Sequence, residues 1–592
     1  MGKFKNIAKI VFLIATTVVA QSGTDKPNFS EALEVIPQES VYVQYNTGLL
    51  FAGEYLKYKL YNFNNDTKKI SGLSKIAYVA LIGRDGTVIV KQKIRLNFGT
   101  GYGDFFIPTS VSTGSYKIVG YTEWMKNFGI KHFFQSDIHI INPYQTTPKS
   151  YLKQSIDSSQ STIHEIVNAK HKNGITSLSQ GNLVKVELNK MDFKKREKIS
   201  VTISTLNEIA SGGTYGISVR KIDSICMPMY ATSKDFYANF QNGSTTKIPL
   251  KDSNINLPEL RGEIISGVIK EKSSGSPVKN QKISISLPGN NFLFKIATST
   301  DEGKFWFNIS EEYANMRAAI QVLSDDWENY EIIIDGQQID YDGLSFSNFF
   351  ISKEIENFIL KRSVQNQIEN VYREIKTDSI KQASHKEPFY RKYTTVYNLD
   401  DFTRFSSLQE TIIEVVNQVS IRKLNNKDRV FEIRPEEGLT DTNLQPMVFV
   451  DGLFIKRHED FMDYSAKKIK TISFSRGKYF LGTQLFQGVI SFETIEGDFY
   501  NDFHAPYIID VDLFKPLPQK EYHAQDYSGN KLQKRIPDFR YQLLWEPNLD
   551  LSDEDKELVF YASDVVGDYE LILEGFTSIG KPVSVKKSFV VR

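Results

Sequence analysis

The sequence predicts a mainly β protein: a string of β-sandwich domains, one mixed α/β domain and a helical linker region. The chain has 592 residues, and at about 150 residues per domain it holds several domains. Aromatic residues make up 12% of it, with 40 Phe and 30 Tyr, which favours strands. Short runs that alternate apolar and polar residues, separated by turn residues, recur along most of the chain, as in sandwiches.

The charge balance excludes several classes of function. Lys and Arg number 72 against 71 Asp and Glu, so the chain lacks the basic surface that binds nucleic acid or an anionic membrane. A hydrophobic fraction of 40% is enough for packed cores and argues against a disordered chain. Nucleic acid is therefore not expected as a partner.

The first twenty residues have the pattern of a signal peptide. Lys3, Lys5 and Lys9 precede the apolar run of residues 10–20, which ends in small residues. The run is short for a membrane span, although a short anchor or a buried helix is the alternative reading. Cleavage would leave a mature chain that begins near Gln21, so export is expected.

Cys226 is the only cysteine of the chain. An internal disulfide is therefore impossible, and stability must come from the cores. Between Ile225 and Met227, Cys226 is predicted to be a small buried hydrophobic residue rather than a reactive thiol. Since no cysteine stands near the expected cleavage site, lipid attachment there is excluded, and membrane association would be indirect.

Residues 21–145 are predicted to form the first β-sandwich. Val41, Val43 and Tyr45 share one strand face. In the next strand, residues 55–61, the positions that alternate with Leu56, Tyr58 and Leu60 are Tyr55, Lys57, Lys59 and Tyr61. Residues 83–86, Gly-Arg-Asp-Gly, suit a hairpin turn.

Three short motifs give this segment a family resemblance. They are Phe51-Ala52-Gly53-Glu54, Gly83-Arg84-Asp85-Gly86, and Pro108 followed by Gly114-Ser115-Tyr116. Through them it resembles the β-sandwich modules on the bait side of the alpha-2-macroglobulin family. That family's thioester needs a cysteine beside a glutamine, which Cys226 lacks, so the resemblance implies the module without covalent trapping.

A linker at 146–180, rich in Ser, Thr, Lys and Gln, leads to a second predicted sandwich at 181–256. Residues 257–335 follow. Their motifs are Leu257-Pro258-Glu259, a strand at 264–269, Gly275-Ser276-Pro277-Val278 and Thr300-Asp301-Glu302-Gly303 before Lys304–Phe307. In this order they resemble the regulatory-like β-sandwich of carboxypeptidases, a module without peptidase chemistry.

A helical and linker segment is predicted at 336–396. Between Lys353 and Lys376 the apolar residues recur at spacings of three and four, which predicts an amphipathic helix with that stripe facing a core. The stripe consists of Ile355, Phe358, Ile359, Ile368, Val371, Tyr372 and Ile375.

Residues 397–500 are predicted to be a mixed α/β domain. Ser407 can cap a helix over residues 408–416, with Glu410 in its first turn. A strand then runs into Val450-Asp451-Gly452, an Ile-x-x-Ile strand follows, and Arg476-Gly477 and Gly488-Val489-Ile490 complete the order. This order resembles the plug domain of TonB-dependent outer-membrane receptors.

The residues after the plug-like segment are too few for a receptor. Only 92 residues follow Tyr500, whereas the barrel of such a transporter needs around twenty-two strands of about ten residues. Residues 501–592 are instead predicted to be a C-terminal β-sandwich. The whole resembles exported Bacteroidota-type multidomain proteins that combine macroglobulin-like, regulatory-like and plug-like domains without a barrel.

No catalytic, cofactor or metal site is predicted. The eight histidines are scattered singly, without zinc-ligand spacing, and no nucleophile elbow or phosphate loop appears. We interpret Asp451, Gly452, Arg476 and Gly477 as turn-forming structure rather than a ligand site.

The sequence therefore suggests a non-enzymatic, outer-membrane-associated accessory protein. It would dock on an integral β-barrel or barrel complex, at the periplasmic face or the cell surface, in transport or in outer-membrane assembly or secretion. The alternative is a surface binding protein that captures glycan or peptide for a neighbouring transporter. Trp124, Trp306, Trp327 and Trp545 could stack on sugars, although their places in strand patterns favour core packing.

Overall fold

A computed structural model of the protein describes most of the chain. The described residues are 33, 35–152, 183–222, 231–242, 255–289, 291–313, 315–336, 338–381, 393–424, 428–436, 444–482, 484–529, 535–552 and 555–592. The predicted signal peptide, Cys226 and most of the predicted linker at 146–180 lie outside them. Within the described residues, no helix is long and apolar enough to cross a membrane.

The chain divides into two compact units. Unit 1 is Met1–Leu260, Asp340–Lys381 and Pro516–Arg592, and unit 2 is Arg261–Ile339 and Gln382–Lys515. The fold class is mainly β, as predicted.

The strands of the described residues up to residue 334 are β1 (Glu39–Tyr45), β2 (Leu49–Phe51), β3 (Tyr55–Asn64), β4 (Lys69–Ile70), β5 (Ile76–Gly83), β6 (Val88–Arg95), β7 (Thr100–Phe106), β8 (Gly114–Tyr121), β9 (Phe134–Ile141), β10 (Val184–Leu188), β11 (Asp192–Phe193), β12 (Lys198–Thr205), β13 (Thr214–Lys221), β14 (Glu263–Glu271), β15 (Lys282–Leu287), β16 (Leu293–Thr298), β17 (Lys304–Ile309), β18 (Arg317–Val322) and β19 (Tyr330–Ile334).

The later strands are β20 (Ser379–Ile380), β21 (Thr395–Asn398), β22 (Val419–Lys423), β23 (Arg429–Ile433), β24 (Met447–Val450), β25 (Leu453–Phe454), β26 (Ile469–Leu481), β27 (Gln484–Thr494), β28 (Ile508–Asp512), β29 (Lys520–Glu521), β30 (Gln542–Leu549), β31 (Asp555–Tyr561), β32 (Gly567–Phe576) and β33 (Pro582–Val591). The α-helices are α1 (Glu208–Ser211), α2 (Ser233–Asn242), α3 (Glu356–Val371), α4 (Leu408–Val415), α5 (Glu459–Met462) and α6 (Phe499–Asp502).

Strands β1 to β9 form the first sandwich of unit 1. One sheet has the order β1-β3-β4 with β7 beside β3, and the other has the order β2-β9-β8-β5-β6. The predicted turn at 83–86 is confirmed: it joins β5 to β6, and the Gly83 N–H donates to the Thr87 carbonyl at 2.8 Å. The Asp85 carboxylate accepts the Thr87 N–H at 3.1 Å, which is a local Asx contact that sequence patterns identify well.

Two segments that we expected to be separate domains share one sandwich. Segments 181–256 and 501–592 each contribute strands to both of its sheets, whose orders are β10-β12-β31 and β11-β33-β32-β13-β30. One apolar core lies between these sheets, and both segments supply it, for example through Val201 and Leu571. Neither segment closes a core by itself, because β13 lies between β30 and β32. We call this the composite sandwich.

Helix α3 forms where predicted, and the N-terminal part of its apolar stripe packs as predicted, but its C-terminal half docks through a different face. Ile355 is buried, and Phe358 and Ile359 pack beside it, whereas Val371 is 75% and Ile375 55% exposed. The buried face is polar, because Arg362 binds Glu54, and the side chains of Asn366 and Asn370 donate to the backbone carbonyls of Ala52 and Gly53. Hydrogen bonding to the first sandwich decides which face is covered.

Unit 2 contains a third sandwich and a mixed domain. The third sandwich has sheets β17-β14-β19 and β16-β15-β18-β28, so β28 joins it from beyond the mixed domain. The mixed domain has the sheet β21-β26-β27-β24-β25, the hairpin β22-β23 and helix α4. The cap predicted for α4 is confirmed, since Ser407 and Glu410 form a reciprocal capping box.

Candidate functional site: a projecting β-hairpin

The hairpin of β26 and β27 extends beyond the sheet to which it belongs. The two strands pair as far as Leu481 and Gln484. The other neighbour of β26 is β21, which reaches only residues 471–474, and the other neighbour of β27 is β24, which reaches only residues 489–492. We call residues 478–482 and 484–486 the arm. No other strand of the described residues pairs with its outer edges.

A β-bulge marks the base of the arm. The register between β26 and β27 shifts between Ser475 and Lys478, so Arg476 and Gly477 lie inside a strand and not in the turn that we predicted. The bulge bends β26 without ending it. The guanidinium of Arg476 donates to the carbonyls of Arg434 and Pro435 at 2.8 and 2.6 Å, and this fixes the base to the end of β23.

The arm has one packed face and one exposed face. Tyr479, Leu481 and Phe486 pack against an apolar cluster that includes Phe292 and Phe449. On the opposite face Phe480 is 71% exposed. The packed face holds the arm in place. The ring of Phe480 is exposed, and within the described residues no further strand pairs with the two edges of the arm.

Asp451 and Gly452 form the turn between β24 and β25, as their sequence predicts. The Asp451 carboxylate is 7% exposed and accepts the N–H groups of Thr494 and Phe499 at 2.8 and 3.0 Å and the Thr494 hydroxyl at 2.5 Å. These bonds tie the turn to the end of β27.

The tryptophans divide into buried and exposed groups. Trp124 and Trp545 are 1% and 4% exposed, and Trp327 packs beside the third-sandwich core, in line with core packing. Trp306 does not follow the prediction of core packing, since it is 37% exposed. Phe305 and Phe307 fill the inner face of β17, so the alternation of the strand turns Trp306 outward.

The buried histidines of the described residues have structural contacts. Burial lowers the pKa of His458 to about 4, and its Nδ1 accepts the Phe431 N–H at 3.2 Å. Burial likewise lowers the pKa of His139 to about 4, and its ring stacks on Phe349. No group of three or more His, Cys, Asp or Glu side chains in the described part of the chain could hold a metal ion.

No protein-family model matches the chain, and no curated protein matches it. Among solved structures, Salmonella alpha-2-macroglobulin reacted with methylamine is 7% identical, with 93% of this chain and 39% of that chain covered and a TM-score of 0.22. The native conformation of Escherichia coli alpha-2-macroglobulin is 10% identical, with 94% and 40% covered and a TM-score of 0.22.

Dimeric latent PorU from Porphyromonas gingivalis is 11% identical, with 51% of this chain and 33% of that chain covered and a TM-score of 0.15. The chain therefore spans less than half the length of these proteins. TM-scores this low do not establish a shared overall fold.

Proposed function

We propose that the protein is a non-enzymatic accessory subunit of the outer membrane, which docks on an integral β-barrel or barrel complex through the arm. The observation that carries the proposal is the arm itself, with two edges that no other strand in the described part of the chain pairs with, and with the exposed ring of Phe480. Strand edges pair readily with a strand of another chain, and alternate side chains then supply specificity.

The geometry favours a partner that contributes a β-strand. The arm presents backbone N–H and C=O groups in a row, and these form a ladder only with another extended segment. A closed barrel has no free edge in its wall, so the pairing strand would come from a loop or turn that extends beyond the membrane. The arm is short, so Phe480 would supply much of the contact as a buried anchor.

The same proposal covers two further points. One is the process, which is transport or outer-membrane assembly or secretion, and the other is the side of the membrane, which is periplasmic or extracellular. Both follow from the identity of the partner. Affinity purification of a tagged copy from gently solubilised outer membranes, followed by mass spectrometry, identifies that partner.

The experiment compares the wild type with Phe480→Asp and with Phe98→Asp. Phe98 is a matched control because it is an exposed phenylalanine, at 89%, far along the chain from the arm. We expect the wild type and Phe98→Asp to recover a stoichiometric barrel protein, and Phe480→Asp to recover at least tenfold less. Recovery of the tagged protein alone, in the soluble fraction, overturns the proposal.

Trp306 supports a second candidate function, the capture of glycan or peptide for a neighbouring transporter. Its ring lies on the outer face of the third sandwich, where Ser266 is its cross-strand neighbour and Ile333 is 44% exposed. An exposed indole on a sheet face can stack on a sugar ring. Calorimetry with glycans selected on an array tests this function, and an absence of binding by the wild type, or equal binding by Trp306→Ala, removes it.

A further inference from the structure

The first sandwich and the composite sandwich meet inside unit 1 on a buried polar interface. Tyr42 and Gln44 of β1 and Lys59 of β3 are at most 3% exposed, although they occupy the strand positions that alternate with core residues. The Gln44 side chain donates to the Gly216 carbonyl of β13 at 3.3 Å, and the Tyr42 hydroxyl donates to Glu574 of β32 at 2.9 Å. We call this contact the joint.

Glu574 lies in the joint without a cation. It is 1% exposed, and its carboxylate also accepts the Ser584 hydroxyl at 3.2 Å and the Ser233 N–H at 3.4 Å. In the described residues no lysine, arginine or histidine forms an ion pair with it. The titratable groups that face it are Tyr42, Tyr45 and Tyr61 of the first sandwich and Asp235 of α2.

Lys59 is a buried base in the same joint. It is fully buried, and its amine donates to the Thr214 hydroxyl at 2.8 Å and to the Tyr215 carbonyl at 3.0 Å. The groups that face it are the Tyr61 ring, 4.8 Å from the amine, and Glu546 of β30. No carboxylate of the described residues forms an ion pair with it. The joint therefore encloses one acid and one base that do not neutralise each other.

We propose that the joint is a regulatory contact whose strength is set by the charge states of Glu574 and Lys59. A buried charge without a counter-ion is costly, and separating the two surfaces lowers this cost because water then reaches the charged group. The inference is independent of the proposed docking function.

The two groups act in opposite directions as the pH rises. Burial raises the pKa of Glu574 from 4.5 to about 7, despite the hydrogen bonds from Tyr42, Ser233 and Ser584. Its contribution to the joint therefore falls as the pH rises from 4.5 to about 7. Burial lowers the pKa of Lys59 from 10.5 to about 7, so its contribution rises from about pH 7 to 10.5. The joint is weakest near pH 7.

Hydrogen exchange measured by mass spectrometry tests this on the full-length protein. After correction for the intrinsic pH dependence of exchange, we expect the opening equilibrium of the α2 amides to be largest near pH 7, because α2 packs on both sides of the joint through Phe236 and Phe240. It should fall at least tenfold toward pH 5 and toward pH 9.5. An opening equilibrium that is flat over this range overturns the proposal.

Three variants separate the two groups. Glu574→Gln should remove the change between pH 5 and 7 and keep the alkaline change, and Lys59→Met should do the reverse. Tyr42→Phe removes one hydrogen-bond donor to the Glu574 carboxylate. The change in the opening equilibrium between pH 5 and 7 should therefore move to higher pH, and this test does not depend on how well the other two variants fold. If Glu574→Gln retains the change between pH 5 and 7, or if Tyr42→Phe leaves that change at the same pH, Glu574 does not control the joint.

Discussion

At the residue scale, one buried ion pair connects α3 to the first sandwich. The Arg362 guanidinium is fully buried and binds the Glu54 carboxylate through two nitrogens, at 2.8 and 2.7 Å. Burial by itself raises the pKa of Glu54, but Arg362 and Arg220 outweigh it and hold that pKa below 4.5. The contribution of Glu54 to stability is therefore present above its ordinary pKa and lost as the pH falls through the folded value.

We predict that Arg362→Met weakens the docking of α3 by about 3–5 kcal/mol, because it leaves the Glu54 carboxylate buried without its main partner. Hydrogen exchange of the α3 amides at pH 7 measures this change. The double variant Glu54→Gln with Arg362→Met is the control. It should recover part of the loss, since it buries no charge at this site, and a double variant as weak as the single one would show that the lost charge pairing is not the cause.

At the element scale, the mixed domain depends on a glycine that only the register of its hairpin explains. Gly488 has a φ of +82°, and a Cβ atom there would lie 2.3 Å from the Ser475 carbonyl oxygen. It stands opposite the bulge, where the two strands approach closely. Gly477, in the bulge itself, would place its Cβ in open space.

The expected result is that Gly488→Ala destabilises the mixed domain by about 1–3 kcal/mol, the usual cost of a side chain at such a backbone conformation, whereas Gly477→Ala changes it by less than about 0.5 kcal/mol. Hydrogen exchange of the β26 and β27 amides compares the two variants. Equal effects would contradict the close approach at Gly488.

Helix α3 shows what the spacing of apolar residues can predict and what it cannot. The sequence predicts the helix correctly, because the spacing of its apolar residues follows the helical period. It does not predict the docking face of the C-terminal half: Val371 and Ile375, both in the predicted stripe, are 75% and 55% exposed. Gly53, with a φ of +93°, brings its backbone so close that a Cβ would lie 2.7 Å from the Asn366 side chain.

At the scale of the whole molecule, the composite sandwich joins distant parts of the chain. Strand β13 pairs with β30 and β32, and β12 pairs with β31. The core of the composite sandwich, whose first residue is Val184, therefore forms only with the C-terminal residues.

Removal of Pro516–Arg592 should therefore unfold more than the C-terminal segment. We expect the amides of β12 and β13 to lose protection from exchange by at least a hundredfold, because they lose their partners on the C-terminal side. Unit 2 is the internal control, since no sheet of its described residues takes a strand from beyond residue 515. Full protection of β13 in the truncated protein would indicate an independent second sandwich.

The sequence by itself determined the local features: the β class, the turn at 83–86, the capping box of α4 and the turn at Asp451, because each depends on residues close together in the chain. Only the tertiary structure decided which strands pair across the composite sandwich and that Lys59 lies in an interface. Period-two alternation separates the two faces of a strand, but it does not say whether water or a second sandwich covers the polar face. The bulge at Arg476, and with it the arm, depends on pairing register, which turn residues alone do not specify.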